Sequence, residues 1–163
     1  MEHKIIDTKE VVIRFTGDSG DGMQLTGTLF ADASALYGNE ISTFPDYPAE
    51  IRAPQGTVAG VSGFQVHIGQ TEVKTPGDFC DVLVAMNPAA LKANAKWAKP
   101  GASIILDEDA FDEKGLEKAG FKTNDPIEEM NLKDYHIIWA PITTLTKESL
   151  KDSGLDNKAI VRS

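Results

Sequence analysis

Residues 11–36 read VVIRFTGDSGDGMQLTGTLFADASAL and carry the main structural pattern of the chain. An apolar run at residues 11–15 gives way to a glycine-rich turn at residues 17–22, after which apolar side chains recur near helical spacing. The pattern predicts a β-strand, a tight turn and an α-helix. In an open α/β sheet such a turn lies at the carboxyl end of a strand, where ligands and partners usually dock.

The glycine turn does not match the common nucleotide-binding motifs. A dinucleotide fingerprint has the order G-x-G-x-x-G, whereas this turn has G-x-x-G-x-G, and no Lys-Ser or Lys-Thr pair follows as in a P-loop. The turn also carries Asp18 and Asp21. A carboxylate about 5 Å from a phosphate costs roughly 3 kcal/mol at an effective dielectric constant of about 20. Two interpretations stay open: the glycines serve close backbone packing while Ser19 or Asp21 caps the helix, or the turn contacts a ligand.

Length and charge limit the class of protein. A chain of 163 residues suits one domain with a buried core, so residues 1–163 are treated as one unit. The net charge of −9 argues against nucleic acid and anionic membranes as partners. No apolar run approaches the length of about 18 residues that a membrane span needs, and the amino-terminal residues are charged. We therefore expect a cytoplasmic protein.

Cysteine and histidine offer no metal site in the sequence. Cys80 is the sequence's one cysteine, so it cannot form an internal disulfide or by itself hold zinc or an iron–sulfur cluster. It directly precedes an apolar run, which predicts a buried structural thiol. His67 falls on the polar phase of an alternating run, which predicts a histidine at the rim of the sheet. We expect no metal ligands in this chain.

A proline-containing segment, residues 44–57, reads FPDYPAEIRAPQGT. Its three prolines exclude a regular helix or a central strand. Long irregular segments inside a compact domain are usually functional or disordered, and the aromatic and apolar content of this segment argues against disorder. Glu50 and Arg52 either form a local ion pair that holds the segment or face a ligand or partner, and the sequence leaves both open.

The rest of the chain alternates between strand and helix patterns. Strands are predicted at residues 40–44, 81–86, 103–106 and 135–140, with a short strand near Phe121. Helices are predicted at residues 88–98, ended by Pro100-Gly101, and from Thr143 or Thr146 onward, with a helical tail at residues 158–162. Residues 57–68 and 71–75 predict an antiparallel hairpin. The fold class is therefore α/β: a three-layer, Rossmann-like domain with a mostly parallel sheet and antiparallel hairpin strands.

Three consecutive acidic residues, 107–109, follow the predicted strand at residues 103–106. They can bind a divalent cation only if further oxygen ligands come from elsewhere. Such a run more often forms a solvated turn and a helix cap, and we expect that role here.

Several blocks of the sequence together resemble one protein family. The blocks are RFTGDSGDGMQLTG, STFPDYPAEIRAPQGT, AGVSGFQVH, TPGDFCDVLVAMNPAAL and LTKESLKDSGLDNKAIVRS. They resemble the amino-terminal gamma-type domain of the alpha subunit of 2-oxoacid:ferredoxin oxidoreductases, in the variety specific for 2-oxoglutarate. The resemblance runs from about residue 10 to the last residue. Because the chain stops at AIVRS without a terminator signal, we expect residues 1–163 to be a domain excised from a longer subunit.

The resemblance implies an enzyme whose reaction extends beyond this domain. The enzymes of this family oxidatively decarboxylate a 2-oxoacid on thiamine diphosphate, join the acyl group to coenzyme A and pass electrons through iron–sulfur clusters to ferredoxin. The family builds the thiamine site from the rest of the alpha subunit and from the beta subunit. The resemblance therefore implies those partners, no catalytic residue and no cofactor bound by this domain alone, and an inactive isolated fragment.

Residues carried over by the resemblance define a candidate site. The glycine turn matches the family's loop after the first strand, residues 48–52 match its P-x-E-x-R element, and Asn87-Pro88 match its strand-to-helix turn. The implied contacts, at a subunit interface or facing coenzyme A, are Gly17, Ser19, Gly20, Gly22, Glu50 and Arg52. Other members often have the motifs G-x-G-G-x-G and P-E-x-R-G-G. In this chain Ser19 and Asp21 change the first motif, and Ala53-Pro54 change the second. An anionic coenzyme would prefer Arg52 to the acidic turn.

Two other functions stay open from the sequence alone. One is a stand-alone Rossmann-type module that binds a nucleotide, against which the glycine order and the aspartates of the turn count. The other is a protein-interaction module whose acidic surface recruits a basic partner.

Overall fold

The computed structural model describes residues 7–18, 22–46 and 60–151, and these residues build a six-stranded sheet in the order β2-β3-β1-β4-β5-β6. The strands are β1 Glu10–Asp18, β2 Glu40–Asp46, β3 Val61–Gly69, β4 Cys80–Ala85, β5 Ala98–Asp107 and β6 His136–Ala140. The helices are α1 Met23–Leu36, α2 Pro88–Asn94, α3 Glu113–Lys118, α4 Pro126–Glu129 and α5 Ile142–Ser149.

Helices cover both faces of the sheet, which confirms the predicted α/β class. Neighbouring side chains of a strand point to opposite faces. On β1, Phe15 packs with Ala31 of α1, whereas Arg14 hydrogen-bonds Asn94 of α2. The α2 face holds the larger core, built from strand residues such as Leu83 and Ile104 with residues of α2.

The sheet is parallel through β1, β4, β5 and β6, and β3 runs antiparallel to both β1 and β2. The predicted antiparallel strands are therefore present, but the predicted hairpin partner, residues 71–75, is wrong. Both edges of β3 are already hydrogen-bonded to β1 and β2, so no edge is left for a third strand. Residues 71–79 instead cross the sheet face, where the Gln65 side chain donates to the backbone carbonyls of Pro76 and Gly77.

The second helix ends earlier than its pattern predicts. α2 stops at Asn94, a 3-10 turn occupies Ala95–Trp97, and Pro100-Gly101 lie inside β5 instead of ending the helix. Ala98 of β5 pairs with β4 at Cys80, and Ser103 pairs at Val82. Four residues of β5, 99–102, therefore lie opposite a single residue of β4, Asp81. Pro and Gly are accommodated by this irregularity in the strand pairing, with Gly101 at φ 75°.

The predicted short strand near Phe121 is wrong, because that residue completes the end of α3. Gly120 takes a left-handed conformation, its N–H donates to Glu117, and the N–H of Phe121 donates to the carbonyl of Leu116 at 3.0 Å. Phe121 is buried against Leu116. This is the Schellman arrangement, in which an apolar contact accompanies the left-handed glycine.

Most of the remaining elements match the sequence pattern, but α3 and α4 lie in residues 112–134, where no helix was predicted. β2, β4, β5 and β6 overlap the predicted strands, and α5 begins at Ile142, next to the predicted start. The helical tail predicted at residues 158–162 lies outside the described residues. Within the described ranges, none of the helices has both the length and the apolar character of a membrane span.

Candidate functional site

The carboxyl ends of the parallel strands meet at one edge of the sheet, and the glycine turn lies there. Gly17 is buried near the end of β1, where it pairs with Ser62 of β3. Gly22 immediately precedes α1 with φ 75°, a conformation that favours glycine. The predicted strand and helix are thus confirmed, while residues 19–21 of the turn lie outside the described residues. Four residues of the predicted site, Ser19, Gly20, Glu50 and Arg52, lie outside the described residues, so their ligand or partner contacts stay predictions.

A hydrogen bond joins this turn to the neighbouring strand-to-helix turn. The Nδ2 group of Asn87 donates to Oδ1 of Asp18 over 3.0 Å, while its Oδ1 accepts from the backbone N–H of Ala90 at 2.8 Å. The backbone N–H of Met86 also donates to the carbonyl of Thr16. One asparagine side chain therefore caps α2, as predicted, and fixes the aspartate at the end of β1.

The first turn of α1 is held by a glutamine side chain. Gly22 offers no side-chain cap, and the Nε2 group of Gln24 donates to the carbonyl of Gly63 at 2.7 Å and to Ser62 at 3.2 Å. These bonds tie the start of α1 to the beginning of β3. The glycine turn is consequently framed by β3 on one side and by Asn87 on the other.

The acidic run at residues 107–109 caps α5. Asp107 accepts from the backbone N–H and hydroxyl of Thr143 at 3.3 and 2.6 Å, and Asp109 accepts likewise from Thr144 at 2.7 and 2.9 Å. α5 has no side-chain cap at its own Pro141, so the two carboxylates meet the free amides of its first turn. The predicted capping role is confirmed, but the predicted solvated position is wrong for Asp107, which is buried. Among the described residues, no group of three or more His, Cys, Asp and Glu side chains is arranged to hold a metal ion.

A buried arginine cluster, which we did not predict, lies beneath this edge. Arg14 donates from Nε to Asn94 at 2.9 Å and from Nη1 to Gln65 at 3.2 Å, and its guanidinium forms an ion pair with Asp46. Its guanidinium carbon also lies 5.9 Å from the ring centroid of Trp97. Asp46 is the last residue of β2, at the start of the proline-containing segment. The sequence did contain an indication of this cluster, because Arg14 lies within the apolar run VVIRF, whose side chains are buried in alternation. A buried charged side chain requires partners of opposite charge.

Cys80 is buried, as the sequence predicts, whereas His67 is less exposed than the predicted rim position. Burial raises the pKa of the Cys80 thiol to about 11, so the thiol stays protonated near neutral pH. His67 lies within β3 with its side chain partly buried, and there Nδ1 is 2.7 Å from the carbonyl of Thr75 and Nε2 is 3.3 Å from Glu10. Neither arrangement is that of a nucleophile or a metal ligand.

The sequence of this α/β domain matches one oxidoreductase family. Residues 12–161 match the family model described as pyruvate ferredoxin/flavodoxin oxidoreductase, and the chain belongs to this family. The chain is 51% identical over 150 residues to subunit KorA of 2-oxoglutarate oxidoreductase from Mycobacterium tuberculosis (strain ATCC 25618 / H37Rv). That match covers 92% of this chain and 23% of KorA, so the chain spans about a quarter of this relative's length.

Two solved structures share the fold. One is a 2-oxoglutarate:ferredoxin oxidoreductase from Magnetococcus marinus, with 2-oxoglutarate, coenzyme A and succinyl-CoA bound. Its TM-score is 0.64 at 26% identity, over 89% of this chain and 22% of that chain. The other is the gamma subunit of a keto/oxoacid ferredoxin oxidoreductase from Geobacter sulfurreducens, with a TM-score of 0.62 over 95% of this chain and 70% of that chain. At 20% identity this second likeness supports the fold alone.

Proposed function

We propose that this chain is the gamma-type domain of a 2-oxoglutarate:ferredoxin oxidoreductase that forms succinyl-CoA. The observation that carries the proposal is the 51% identity with KorA over 92% of this chain. The Magnetococcus marinus relative, whose structure holds 2-oxoglutarate, coenzyme A and succinyl-CoA, supports the same substrate and product.

Thiamine diphosphate and iron–sulfur clusters belong, in this proposal, to other parts of the enzyme. The described residues do not suit either group. At the described sheet edge, the carboxylates of Asp18 and Asp109 repel a diphosphate, and both already accept hydrogen bonds from the protein, as does the buried Asp107. Cluster iron needs thiolate ligands, and Cys80 is a buried neutral thiol. The catalytic centre is therefore assigned to the rest of the alpha subunit and to the beta subunit, with ferredoxin as electron acceptor.

The role proposed for this domain is to hold two loops, residues 17–22 and 45–56, against a neighbouring subunit or coenzyme A. Two features support a positioning role. Gln24 and Asn87 frame the first loop, and an ion pair between Arg14 and Asp46 lies at the start of the second loop. Arg52 is the residue proposed to meet the anionic coenzyme, because a guanidinium binds phosphate by two parallel hydrogen bonds.

The activity is tested on the complete enzyme that contains this chain. Reduction of ferredoxin is measured with 2-oxoglutarate or pyruvate, each with and without coenzyme A. We expect electron transfer that needs both 2-oxoglutarate and coenzyme A. Preference for pyruvate would overturn the substrate assignment, and no oxidation of any 2-oxoacid would overturn the proposed function.

The loop assignment is tested by Arg52→Ala in the same enzyme. Loss of a charge-assisted hydrogen bond is expected to raise KM for coenzyme A about 10-fold or more, with KM for 2-oxoglutarate unchanged and partial recovery in Arg52→Lys. Unchanged kinetics would return Glu50 and Arg52 to a structural role. Calorimetry on the 163-residue chain with thiamine diphosphate, coenzyme A and NAD completes the test, since tight NAD binding would favour a nucleotide module instead.

A further inference from the structure

Helix α1 turns large apolar side chains toward solvent. Leu25, Leu29 and Leu36 are 64%, 59% and 89% exposed, and we call these three residues the α1 outer stripe. At about 100° of rotation per residue, they project from one side of the helix. The residues that α1 buries, Met23, Gly27 and Ala31, lie on the opposite side. The helix is therefore apolar on both its inner and its outer side.

The inner contact explains why the leucines face outward. Gly27 lies so close to Phe64 that a Cβ atom added there would come within 2.2 Å of the ring. Only small side chains fit at the centre of this contact, so the domain's own sheet has no room for the leucines. Tyr37, just after the helix, is also exposed. Large apolar side chains that share one exposed side of a helix mark an interaction surface, because leaving them in water is unfavourable.

We propose that the α1 outer stripe is a docking surface for another part of the same oxidoreductase, with an apolar face that brings a lysine or arginine to Asp32. This inference rests on the proposed function. It names a surface distinct from the loops at residues 17–22 and 45–56. Roughly three-quarters of KorA lies outside the region that this chain matches, and a similar share of the Magnetococcus marinus chain does too. These relatives therefore carry ample chain to cover such a surface.

Charge favours this occupant over a second copy of the chain. Asp32 is exposed and lies between Leu29 and Leu36 on the same side of α1, and residues 23–36 contain no lysine or arginine. A second copy that paired through α1 would bring another acidic helix and a second net charge of −9. Like charges across an interface are unfavourable, whereas a basic group from a different domain would neutralise Asp32. A leucine-rich stripe also matches permanent interfaces, which are more apolar than transient ones.

Footprinting tests the surface. Hydroxyl-radical labelling of the stripe leucines is compared between the 163-residue chain alone and the complete oxidoreductase that contains it. We expect labelling to fall at least about threefold in the complete enzyme, as side chains leave water on docking. Equal labelling in the two samples would overturn the proposal. Protection in the chain alone that increases with its concentration would also overturn it, since the occupant would then be a second copy.

A double variant, Leu25→Glu with Leu29→Glu, tests the same surface by assembly. The melting temperature of the variant chain alone is expected to stay near that of the wild type, because both positions are exposed. The yield of assembled enzyme is expected to fall about 10-fold or more. Leu145→Glu is the matched control, since Leu145 is 56% exposed on a different helix, and it should assemble normally.

Normal assembly of the double variant, or an equal loss in the control, would overturn the proposal. Oxidation of 2-oxoglutarate is measured on the same wild-type preparation. A stripe that is protected in an enzyme without this activity would refute the proposed function while supporting the docking surface, so the two failures are distinguishable.

Discussion

Helices α1 and α2 follow equivalent strand-to-helix turns yet serve the domain differently. α2 begins at a side-chain cap from Asn87 and buries Ala90 and Leu91 completely. α1 begins at Gly22 without a side-chain cap, buries little besides Met23, Gly27 and Ala31, and exposes its leucines. α2 therefore belongs to the domain's own core. α1 only rests on the sheet, through a contact made by small residues.

The largest expected difference in the free energy of unfolding is between two leucine variants, one in α2 and one in α1. Leu91→Ala should lower the free energy of unfolding by about 2–5 kcal/mol, because it leaves a cavity at a fully buried position. Leu29→Ala should change it by less than about 0.5 kcal/mol, because the side chain is already exposed. Urea denaturation of the two variants measures both values. Similar losses would show that α1 belongs to the core as much as α2 does.

The next effect concerns the close contact of α1 with the sheet. Gly27→Ala gains up to about 1 kcal/mol of helix propensity but forces the ring and Cβ of Phe64 to move. We expect a net loss of roughly 1–3 kcal/mol, the usual cost of overpacking. Thr28→Ala, on the exposed side of the same helix, is the control and should be neutral or slightly stabilising. A stabilised Gly27→Ala variant in thermal denaturation would contradict the tight contact.

A smaller effect is expected at the cap of α2. Asn87→Ala should lower the free energy of unfolding by about 1 kcal/mol, because the amide of Ala90 loses its acceptor. Asn87→Ser keeps a capping oxygen but loses the bond to Asp18, so it separates the two roles. We expect Ser to recover most of the stability in chemical denaturation. No recovery would mean that the bond to Asp18 dominates.

The smallest effect near neutral pH concerns Cys80, which lies in the core on the α2 face. Burial raises the pKa of its thiol to about 11, so the folded state holds this proton more tightly than the unfolded state does. Its stabilising contribution is complete below about pH 9 and is lost as the pH rises toward about 11. The wild type should therefore lose more stability over that range than Cys80→Ala, with no difference in slope near pH 7. Parallel pH profiles would contradict the burial effect.

Local pattern predicted most of the strands correctly, for a clear reason. Apolar runs such as residues 81–86 become central strands because a sheet covered on both faces buries nearly every side chain. The Asn87-Pro88 cap and the capping role of residues 107–109 were also predictable, since such side chains serve the nearest free amides. The positive φ of Gly22 fits the predicted glycine turn.

The errors arose where a distant neighbour decided the local structure. Residues 71–75 have a strand-like pattern, but β1 and β2 already occupy both edges of β3. Pro100-Gly101 normally ends a helix, yet here the pairing with β4 accommodates them inside β5. Two of the six candidate site residues, Gly17 and Gly22, lie at the predicted edge together with Asp18 and Asn87. The contacts predicted for Glu50 and Arg52 stay predictions.

The fold class, the strand and helix within residues 11–36 and the membership of the oxidoreductase family follow from the sequence, because periodicity and motif blocks are local properties of the chain. Which helix belongs to the core depends instead on contacts between residues that are distant in the chain. The apolar residues of α1 have the same spacing whether they face the sheet or solvent. The close approach of Gly27 to Phe64 turns the small side chains inward and the leucines outward, and this contact joins residues far apart in sequence.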